Sequence, residues 1–323
     1  LLSFTLKIGV SVAILAYLIL SRDIRWSDFT TVGPLFLLAA FLCIMLQLFL
    51  TGVRWWILLR TAGIRLSFPE VVSLEMQGAF FSLVIPGGSV GGDLIKAGII
   101  AKRSPQGERF IGVFSILMDR LCGLSGLLLA TLLACAACLG EIRGFSEQAR
   151  VGIALMCLVC AGVLCVCAVV FFYDLLYRIR FFRFFLKIAD RYSKGMFKRA
   201  ARAVAMYRRR WRLILALILV SCFVFFPILG APVWILANAT LPAHQEYMPC
   251  LMVSNISQTI AAIPISFGGV GTRDIAATKM LEALSWTKPE SVTVPLLVTL
   301  LSTLALLSGA VFFIFDPARK IKR

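Results

Sequence analysis

The chain has 323 residues, of which 60% are hydrophobic and only 15% are charged. A soluble domain carries about 25% charged residues, so this composition offers too few polar side chains to cover a soluble globule. It excludes a soluble enzyme, a nucleic-acid-binding domain and a disordered tail, and it predicts an all-α integral membrane protein. Much of the net charge of +17 falls in residues 174–212, which hold 13 Lys or Arg and two Asp.

Six apolar runs reach the length of about 17–25 residues that a transmembrane helix needs. In chain order, these runs are residues 4–21, 34–54, 110–139, 151–173, 213–237 and 292–315. Two further apolar stretches, 70–85 and 247–265, are shorter or more polar. Each leads into a glycine cluster, and a second short helical stretch follows it, at 94–103 and at 274–286.

Loop charge predicts the orientation, because Lys and Arg collect on the cytoplasmic side of a membrane. The basic linker 174–212 and the C-terminal tail are predicted inside, whereas the loops 22–33 and 140–150 have no net charge and are predicted outside. Six crossings with both termini in the cytoplasm then require each glycine-containing stretch to enter and leave on the same side. The linker either places its aromatic residues at headgroup level or is a plain connection.

We therefore predict two re-entrant helical hairpins, one at 70–103 that enters from the cytoplasm and one at 247–286 that enters from outside. The order span, hairpin, span occurs twice with opposite orientation, as in the inverted repeats of secondary transporters. The halves 1–173 and 213–323, joined by the linker, form a single membrane domain in the inner (cell) membrane. Eight full spans, with each hairpin arm counted as a span, are the alternative.

The first glycine cluster has the composition of an anion-binding turn. Glycines allow a group to approach bare backbone, and a helix that begins near Leu94 would present free N–H groups to a phosphate. Lys96 would add a positive charge in the first turn of that helix. Alternatively, Asp93 caps the helix and Lys96 anchors it at the cytoplasmic surface. The cluster comprises Pro86, Gly87, Gly88, Gly91, Gly92 and Asp93.

The second cluster repeats the pattern of a proline and paired glycines before an acid. Thr272 is a candidate N-cap, and Arg273 can bind a phosphate through two parallel hydrogen bonds. An arginine in a membrane segment needs a partner, for which Asp274 and Asp119 are the candidates. The alternative is a purely structural ion pair. The cluster comprises Pro264, Gly268, Gly269, Gly271, Thr272, Arg273 and Asp274.

Ionisable residues inside apolar spans are further candidates, because charge at membrane depth often serves function. Asp119 and Arg120 are adjacent, so each is predicted to meet a group on a different helix. Glu75 on the first hairpin is a similar candidate. The Arg-Trp-Trp sequence at 54–56 indicates either an interfacial anchor or part of the site. The ten cysteines lie among apolar residues and His244 is the single histidine, so we predict no metal and no cofactor.

Together, these motifs resemble one known family, the flippase-like family that is also called the lysylphosphatidylglycerol synthase transmembrane region. The motifs that carry the resemblance are Arg-Trp-Trp at 54–56, the glycine run at 86–93, Asp119-Arg120 and the run at 264–274. The resemblance implies an integral membrane protein that moves or handles anionic or modified lipids between leaflets. The sequence departs from the family pattern at Ser82, Lys96 and Asp274, where members often have Asn, Arg and Glu.

The better-known members continue into a cytoplasmic aminoacyl transferase domain, and this sequence ends at Arg323 without one, so we expect no synthesis of aminoacyl lipid. We expect a lipid translocase, not an enzyme, whose partners are membrane lipids with anionic headgroups. Two alternatives are a membrane-embedded transferase that uses Asp93 or Glu75 as its base, and a scaffold that docks a separate lipid synthase. The predicted substrate-binding residues are Gly87, Gly88, Gly91, Gly92, Asp93, Lys96, Asp119, Arg120, Gly268, Gly269, Gly271, Arg273 and Asp274.

Overall fold

The structure, a computed structural model, describes residues 32–85, 89–103, 109–171, 196–263 and 271–315. These ranges contain helices and short turns and no β-strand, so the predicted all-α fold is confirmed. The helices in chain order are α1 (Pro34–Thr61), α2 (Phe68–Val84), α3 (Ser89–Arg103), α4 (Arg109–Ala137), α5 (Leu139–Arg143), α6 (Glu147–Phe171), α7 (Met196–Arg208), α8 (Trp211–Val220), α9 (Phe226–Thr240), α10 (Tyr247–Ala261), α11 (Thr272–Ala283), α12 (Lys288–Leu307) and α13 (Gly309–Ile314).

Five helical segments of the described residues are long and apolar enough to cross a membrane. They are α1, α4, the greater part of α6, the segment Trp211–Thr240 and the segment Lys288–Ile314. By length and composition they agree with five of the six predicted spans, and the remaining one, residues 4–21, lies outside the described residues. The segment Trp211–Thr240 contains a π-helical turn, Ser221–Phe225, between α8 and α9.

Two helical hairpins occupy the predicted positions, the first formed by α2 and α3 and the second by α10 and α11. Their arms have 17, 15, 15 and 12 residues, so at 1.5 Å per residue they are about 18 to 26 Å long. The hydrocarbon core is about 30 Å thick, so each described arm is shorter than this thickness, and α2, with 17 residues, is at the lower limit for a span. The connections between the arms, residues 86–88 and 264–270, lie outside the described residues.

Local sequence explains where two of the hairpin arms begin. At the start of α2, the backbone N–H and the hydroxyl of Ser67 donate to the Glu70 carboxylate at 2.8 and 2.6 Å, which is a capping-box arrangement. At the start of α11, Gly271 has a φ of +86°, a conformation that favours glycine, and its N–H donates to Asp274 at 2.9 Å. Gly271 is thus the N-cap, and Thr272, predicted to cap, is the first helical residue.

The helix α3 begins at Ser89, five residues before the start predicted near Leu94. Gly91 and Gly92 therefore lie inside a helix rather than in a turn. Gly92 makes close packing possible, because a Cβ added there would lie 2.1 Å from the Gly78 carbonyl oxygen of α2. Only a glycine at this position allows the two arms of the first hairpin to approach so closely.

The helix α4 contacts both hairpins at two different heights. Arg120, eleven residues into α4, bonds to Asp93 of α3. Thr131, eleven residues further along, lies 2.9 Å from the hydroxyl of Thr259 of α10. At 1.5 Å per residue, these two contacts are about 16 Å apart along α4. The first hairpin thus contacts the first half of α4 at Arg120, and the second hairpin contacts its later half at Thr131.

Replacing Gly92 with Ala should destabilise the protein, because the added Cβ would overlap the Gly78 carbonyl and force the arms apart. Overpacking of this kind costs about 1–3 kcal/mol. Gly98→Ala is the matched control in the same helix: its Cβ would meet nothing within 4 Å, and it should be neutral or stabilise by up to about 1 kcal/mol. Thermal unfolding in detergent measures both, and equal midpoints would contradict the close packing of α2 on α3.

Candidate functional site

Arg54 of α1 and Asp119 of α4 form a buried ion pair. Nε and Nη2 of Arg54 donate to the two carboxylate oxygens of Asp119 at 2.7 and 3.1 Å, and Nη1 donates to Ser221 Oγ at 3.0 Å. Arg54 and Trp55 are 6% and 0% exposed, whereas an interfacial anchor would face the headgroups. The anchoring alternative is therefore wrong for these two residues.

Irregular and small-residue features of the neighbouring helices make room for this pair. Ser221 opens the π-helical turn, and the ring of Phe225 lies 5.5 Å from the Arg54 guanidinium. On α4, a Cβ added to Gly123 would lie 2.9 Å from Arg54 Nη2, and one added to Gly126 would lie 2.5 Å from the Ser221 Cβ. π-turns often occur at functional sites, and this one supplies the hydroxyl that accepts the third hydrogen bond from the guanidinium.

A second group of charges lies on the first hairpin. Lys96 of α3 bonds to Glu75 of α2 and to Asp93, each at 3.0 Å, and its ammonium lies 4.9 Å from the Trp55 ring. Arg120 of α4 donates from Nε and Nη2 to the two oxygens of Asp93 at 2.6 and 2.8 Å. Arg120 thus binds a group on α3, and its sequence neighbour Asp119 binds Arg54 on α1, so each meets a different helix, as predicted.

Together these two groups contain three basic and three acidic side chains, so their formal charges balance. Five of the six side chains are at most 18% exposed, whereas that of Arg120 is 49% exposed. Exposed leucines stand beside it, Leu117 one turn earlier on α4 and Leu94 next to Asp93 on α3. Arg120 is therefore open to the surroundings and borders an apolar surface, about 16 Å along α4 from its first residue.

This geometry contradicts the alternative roles of Asp93 as a helix cap and of Lys96 as a surface anchor. Asp93 is the fifth residue of α3 and not its N-cap, and its carboxylate binds Lys96 and Arg120. Lys96 lies in the second turn and is 3% exposed, so it is not a surface anchor, and its ammonium is held by two carboxylates. Four predicted site glycines lie outside the described residues: Gly87, Gly88, Gly268 and Gly269.

The second hairpin carries a smaller polar group. Arg273 donates to the hydroxyl of Thr299 of α12, and that hydroxyl donates to Asp274 Oδ1 at 2.6 Å. Nε of Arg273 lies 3.9 Å from the same carboxylate oxygen. Of the two predicted partners for this arginine, Asp274 is the one observed, because Asp119 is taken by Arg54.

The groups on the two hairpins occupy corresponding positions. In each, an acid near the start of the hairpin's second arm meets a side chain on the following span. Asp93 and Arg120 are 27 residues apart, and Asp274 and Thr299 are 25 residues apart. Arg120 and Thr299 each lie eleven positions after the first residue of their helix. The same arrangement of acid and partner thus occurs once in each half of the chain.

Two polar groups inside the second hairpin have no hydrogen-bond partner among the described residues, and the sequence analysis did not single them out. They are the amide nitrogen of Asn255 and the hydroxyl of Thr278, both in residues that are 1% exposed. Asn255 lies six residues before the end of α10 and Thr278 six residues after the start of α11, so both stand at about the same height in the hairpin. A buried polar group without a partner costs about 1–3 kcal/mol.

The cysteines are the remaining side chains that could bind a metal or take part in redox chemistry. No group of three or more His, Cys, Asp or Glu side chains that could hold a metal occurs within the described ranges. The ten cysteines are free thiols. Burial raises the pKa of Cys138, in the turn after α4, to about 11, so this side chain stays a thiol near neutral pH. These features fit the packing role that the sequence predicts for the cysteines.

Removing one partner of the Arg54–Asp119 pair should destabilise the protein, because the other charge would stay buried without compensation. We expect Asp119→Leu or Arg54→Met alone to cost about 3–5 kcal/mol, and the double variant to recover most of that loss. Thermal unfolding of the two single variants and the double variant gives a double-mutant cycle. Additive losses would show that the two side chains do not stabilise one another.

Thr278→Val should raise the unfolding midpoint, because it replaces an unpaired hydroxyl with a methyl group and changes the shape of the side chain little. Thr303→Val is the matched control, since the Thr303 hydroxyl donates to the Thr299 carbonyl at 2.8 Å, and it should not raise the midpoint. A lower midpoint for Thr278→Val would contradict the expectation and would mean that a bound molecule satisfies the hydroxyl.

The sequence profile of one family matches nearly the whole chain. The family is described as the lysylphosphatidylglycerol synthase TM region, and the match covers residues 4–309, which include both hairpins and the Asp119-Arg120 pair. No curated protein matches the chain as a significant relative. The helices and the profile lead to the same conclusion: the chain belongs to the lysylphosphatidylglycerol synthase transmembrane-region family and is a multi-pass membrane protein.

Proposed function

We propose that this protein is a lipid translocase, which binds an anionic or modified phospholipid headgroup between its two hairpins and moves it between leaflets. The observation that carries the proposal is the charge-balanced network among apolar helices, open at Arg120 and bordered there by apolar surface. A phospholipid has the matching combination of a charged headgroup and apolar chains. Membership of a family associated with membrane lipids supports the same conclusion.

In the proposed arrangement both hairpins are re-entrant. Their arms are shorter than the hydrocarbon core is thick, and they contact α4 at points about 16 Å apart, which supports entry from opposite sides. The part of α4 between these points carries Gly123 and Gly126, against which Arg54 and Ser221 pack closely. Both termini then lie in the cytoplasm and the chain lies in the inner membrane, as the loop charges favour.

A headgroup phosphate would compete with Asp93 for Arg120. The guanidinium has five N–H groups, of which two bond to Asp93, so donors remain on its exposed side. When a phosphate takes Arg120, Asp93 keeps Lys96 as its partner at 3.0 Å. No carboxylate of the hairpin is then left unpaired, which limits the energetic cost of the exchange. The acyl chains stay beside the exposed leucines.

Arg273 is the proposed second phosphate ligand. Its side chain is 17% exposed, and Nε lies 3.9 Å from Asp274, so the arginine is not held in a close bidentate pair. The Thr299 hydroxyl accepts a hydrogen bond from Arg273 and donates one to Asp274. This bridge would re-form after a headgroup leaves. Transfer of a headgroup from Arg120 to Arg273 would carry it between the two hairpins.

A membrane-embedded transferase is the competing function. Its candidate bases, Asp93 and Glu75, both bind the Lys96 ammonium at 3.0 Å, so each carboxylate already serves as the partner of a buried cation. This contact favours translocation over transfer chemistry. Mass spectrometry of lipids incubated with the purified protein separates the two functions, because a transferase leaves a covalent change on the lipid.

Arg120→Gln should slow the movement of fluorescent phosphatidylglycerol between the leaflets of proteoliposomes. The substitution removes a charge-assisted hydrogen bond of about 1.5–3 kcal/mol, which corresponds to a rate loss of about 10- to 100-fold. Reduction of the outer-leaflet label by dithionite measures the rate. Arg143→Gln, at an exposed position of α5, is the control and should keep the wild-type rate.

Two outcomes would contradict the proposed function. One is a wild-type rate no higher than that of protein-free vesicles. The other is an equal rate in wild type, Arg120→Gln and Arg273→Ala, provided that all three proteins unfold at similar temperatures and insert in similar amounts.

A further inference from the structure

The helix α7 is docked firmly against the ends of two spans. Its residues Ala203 and Tyr207 are 2% and 0% exposed and pack with Leu58 of α1 and Phe114 of α4. The Tyr207 hydroxyl donates to the Leu58 carbonyl at 3.3 Å. Burial raises the pKa of the Tyr207 phenol well above its usual range, so this donor stays protonated at physiological pH. The contact fixes α7 where α1 ends and α4 begins.

The outer side of this docked helix and the start of α8 are strongly basic. The sequence 196–212 contains seven Lys or Arg and no Asp or Glu. Four arginines whose side chains the structure describes are exposed here: Arg202, Arg209, Arg210 and Arg212. Trp211 is 45% exposed, and the Arg212 guanidinium lies 5.7 Å from its ring.

The neighbouring end of α1 extends the same basic surface. Arg60, two residues after the Leu58 that binds Tyr207, is exposed and stacks over Trp56 at 5.0 Å. Arg65, in the turn that follows α1, is also exposed. Because Tyr207 joins α7 to this end of α1, positive charge from three segments collects at one end of the helix bundle.

We propose that this basic end, formed by Arg202, Arg209, Arg210 and Arg212 with Arg60 and Arg65, binds the anionic phospholipid headgroups of one leaflet. Each Lys or Arg close to an anionic surface adds to the attraction. Trp211 begins a segment long enough to cross the membrane, and exposed tryptophan beside arginine is typical of the headgroup level. Exposed Leu215, one turn into α8, continues this surface with apolar character. A lipid surface therefore fits better than an acidic soluble protein.

The basic end also lies close to the charged network, which has a consequence for lipid movement that rests on the proposed function. Leu58 lies one helical turn, about 6 Å, from Arg54 along α1, so headgroups gathered at α7 lie close to the charged network. The basic end would raise the local concentration of anionic lipid beside the network before a lipid reaches Arg120. Binding at this surface requires no translocation and can be tested alone.

The test is the lipid retained by the purified protein in nanodiscs that contain equal amounts of phosphatidylglycerol and phosphatidylcholine. The variant with Arg202, Arg209, Arg210 and Arg212 all changed to Gln should lose phosphatidylglycerol enrichment by about tenfold or more at low salt. The matched control changes four exposed cations at the other end of the bundle to Gln: Arg143, Arg150, Lys279 and Lys288. It should keep the wild-type enrichment, and unfolding midpoints check that both variants are folded.

Three results would overturn the proposal. The first is equal enrichment in wild type and both variants, and the second is an equal loss in the two variants. The third is displacement of phosphatidylglycerol by inorganic phosphate but not by chloride at matched ionic strength, which would indicate a site for free phosphate. The first result would favour a scaffold if a soluble protein also co-purified with wild type and was lost from the basic-end variant.

The two proposals can fail independently. If enrichment depends on the basic end while lipid movement equals that of protein-free vesicles, the surface stands and the translocase does not. If lipid movement depends on Arg120 while enrichment is equal in all three proteins, the translocase stands and the surface does not.

Discussion

A charge buried among apolar helices needs a partner, and this requirement determines how the helices of this protein meet. An unpaired arginine or aspartate in the middle of a membrane costs about 2.5–3.5 kcal/mol on insertion scales. Arg54 therefore joins α1 to α4 and to the π-turn. Lys96 joins the arms of the first hairpin through Glu75 and Asp93, and Arg120 joins that hairpin to α4. Apolar packing alone would specify these contacts weakly, because lipid chains compete equally well for apolar helix surfaces.

Close backbone approach is the second condition for these contacts, and glycine meets it. A Cβ on Gly92 would overlap the Gly78 carbonyl, and one on Gly309 would lie 2.0 Å from the Met76 carbonyl oxygen. The helix α2 is therefore in backbone contact with α3 on one side and with the last span on another. That span also carries Thr299, the partner of the second hairpin. Because packed backbones do not compress, a displacement of the first hairpin would also displace the last span, which binds the second hairpin through Thr299.

The sequence was sufficient for the all-α fold and for five of the six predicted spans, because apolar length is a local signal. It could show that Arg54 and Arg120 need partners, but the partners lie 65 and 27 residues away and depend on which helices are neighbours. The glycines at 91–92 indicated a turn by propensity, and contact with α2 outweighs that preference. Ser221 and Thr299 carried no signal, because a hydroxyl in a membrane helix usually bonds to its own preceding turn.

The two hairpin groups are built from different side chains but have the same net charge, which bears on the proposed lipid movement. In the first, two cations face two carboxylates, and in the second, Arg273 faces Asp274 through a neutral hydroxyl. Both groups are formally neutral when empty, so neither needs a bound ion to be stable in a medium of low dielectric. A singly charged headgroup adds about the same charge to either group. Neither group therefore needs the headgroup as a permanent counterion. Similar net charge at the two positions is what a translocase needs, because a lipid must leave each position as readily as it arrives.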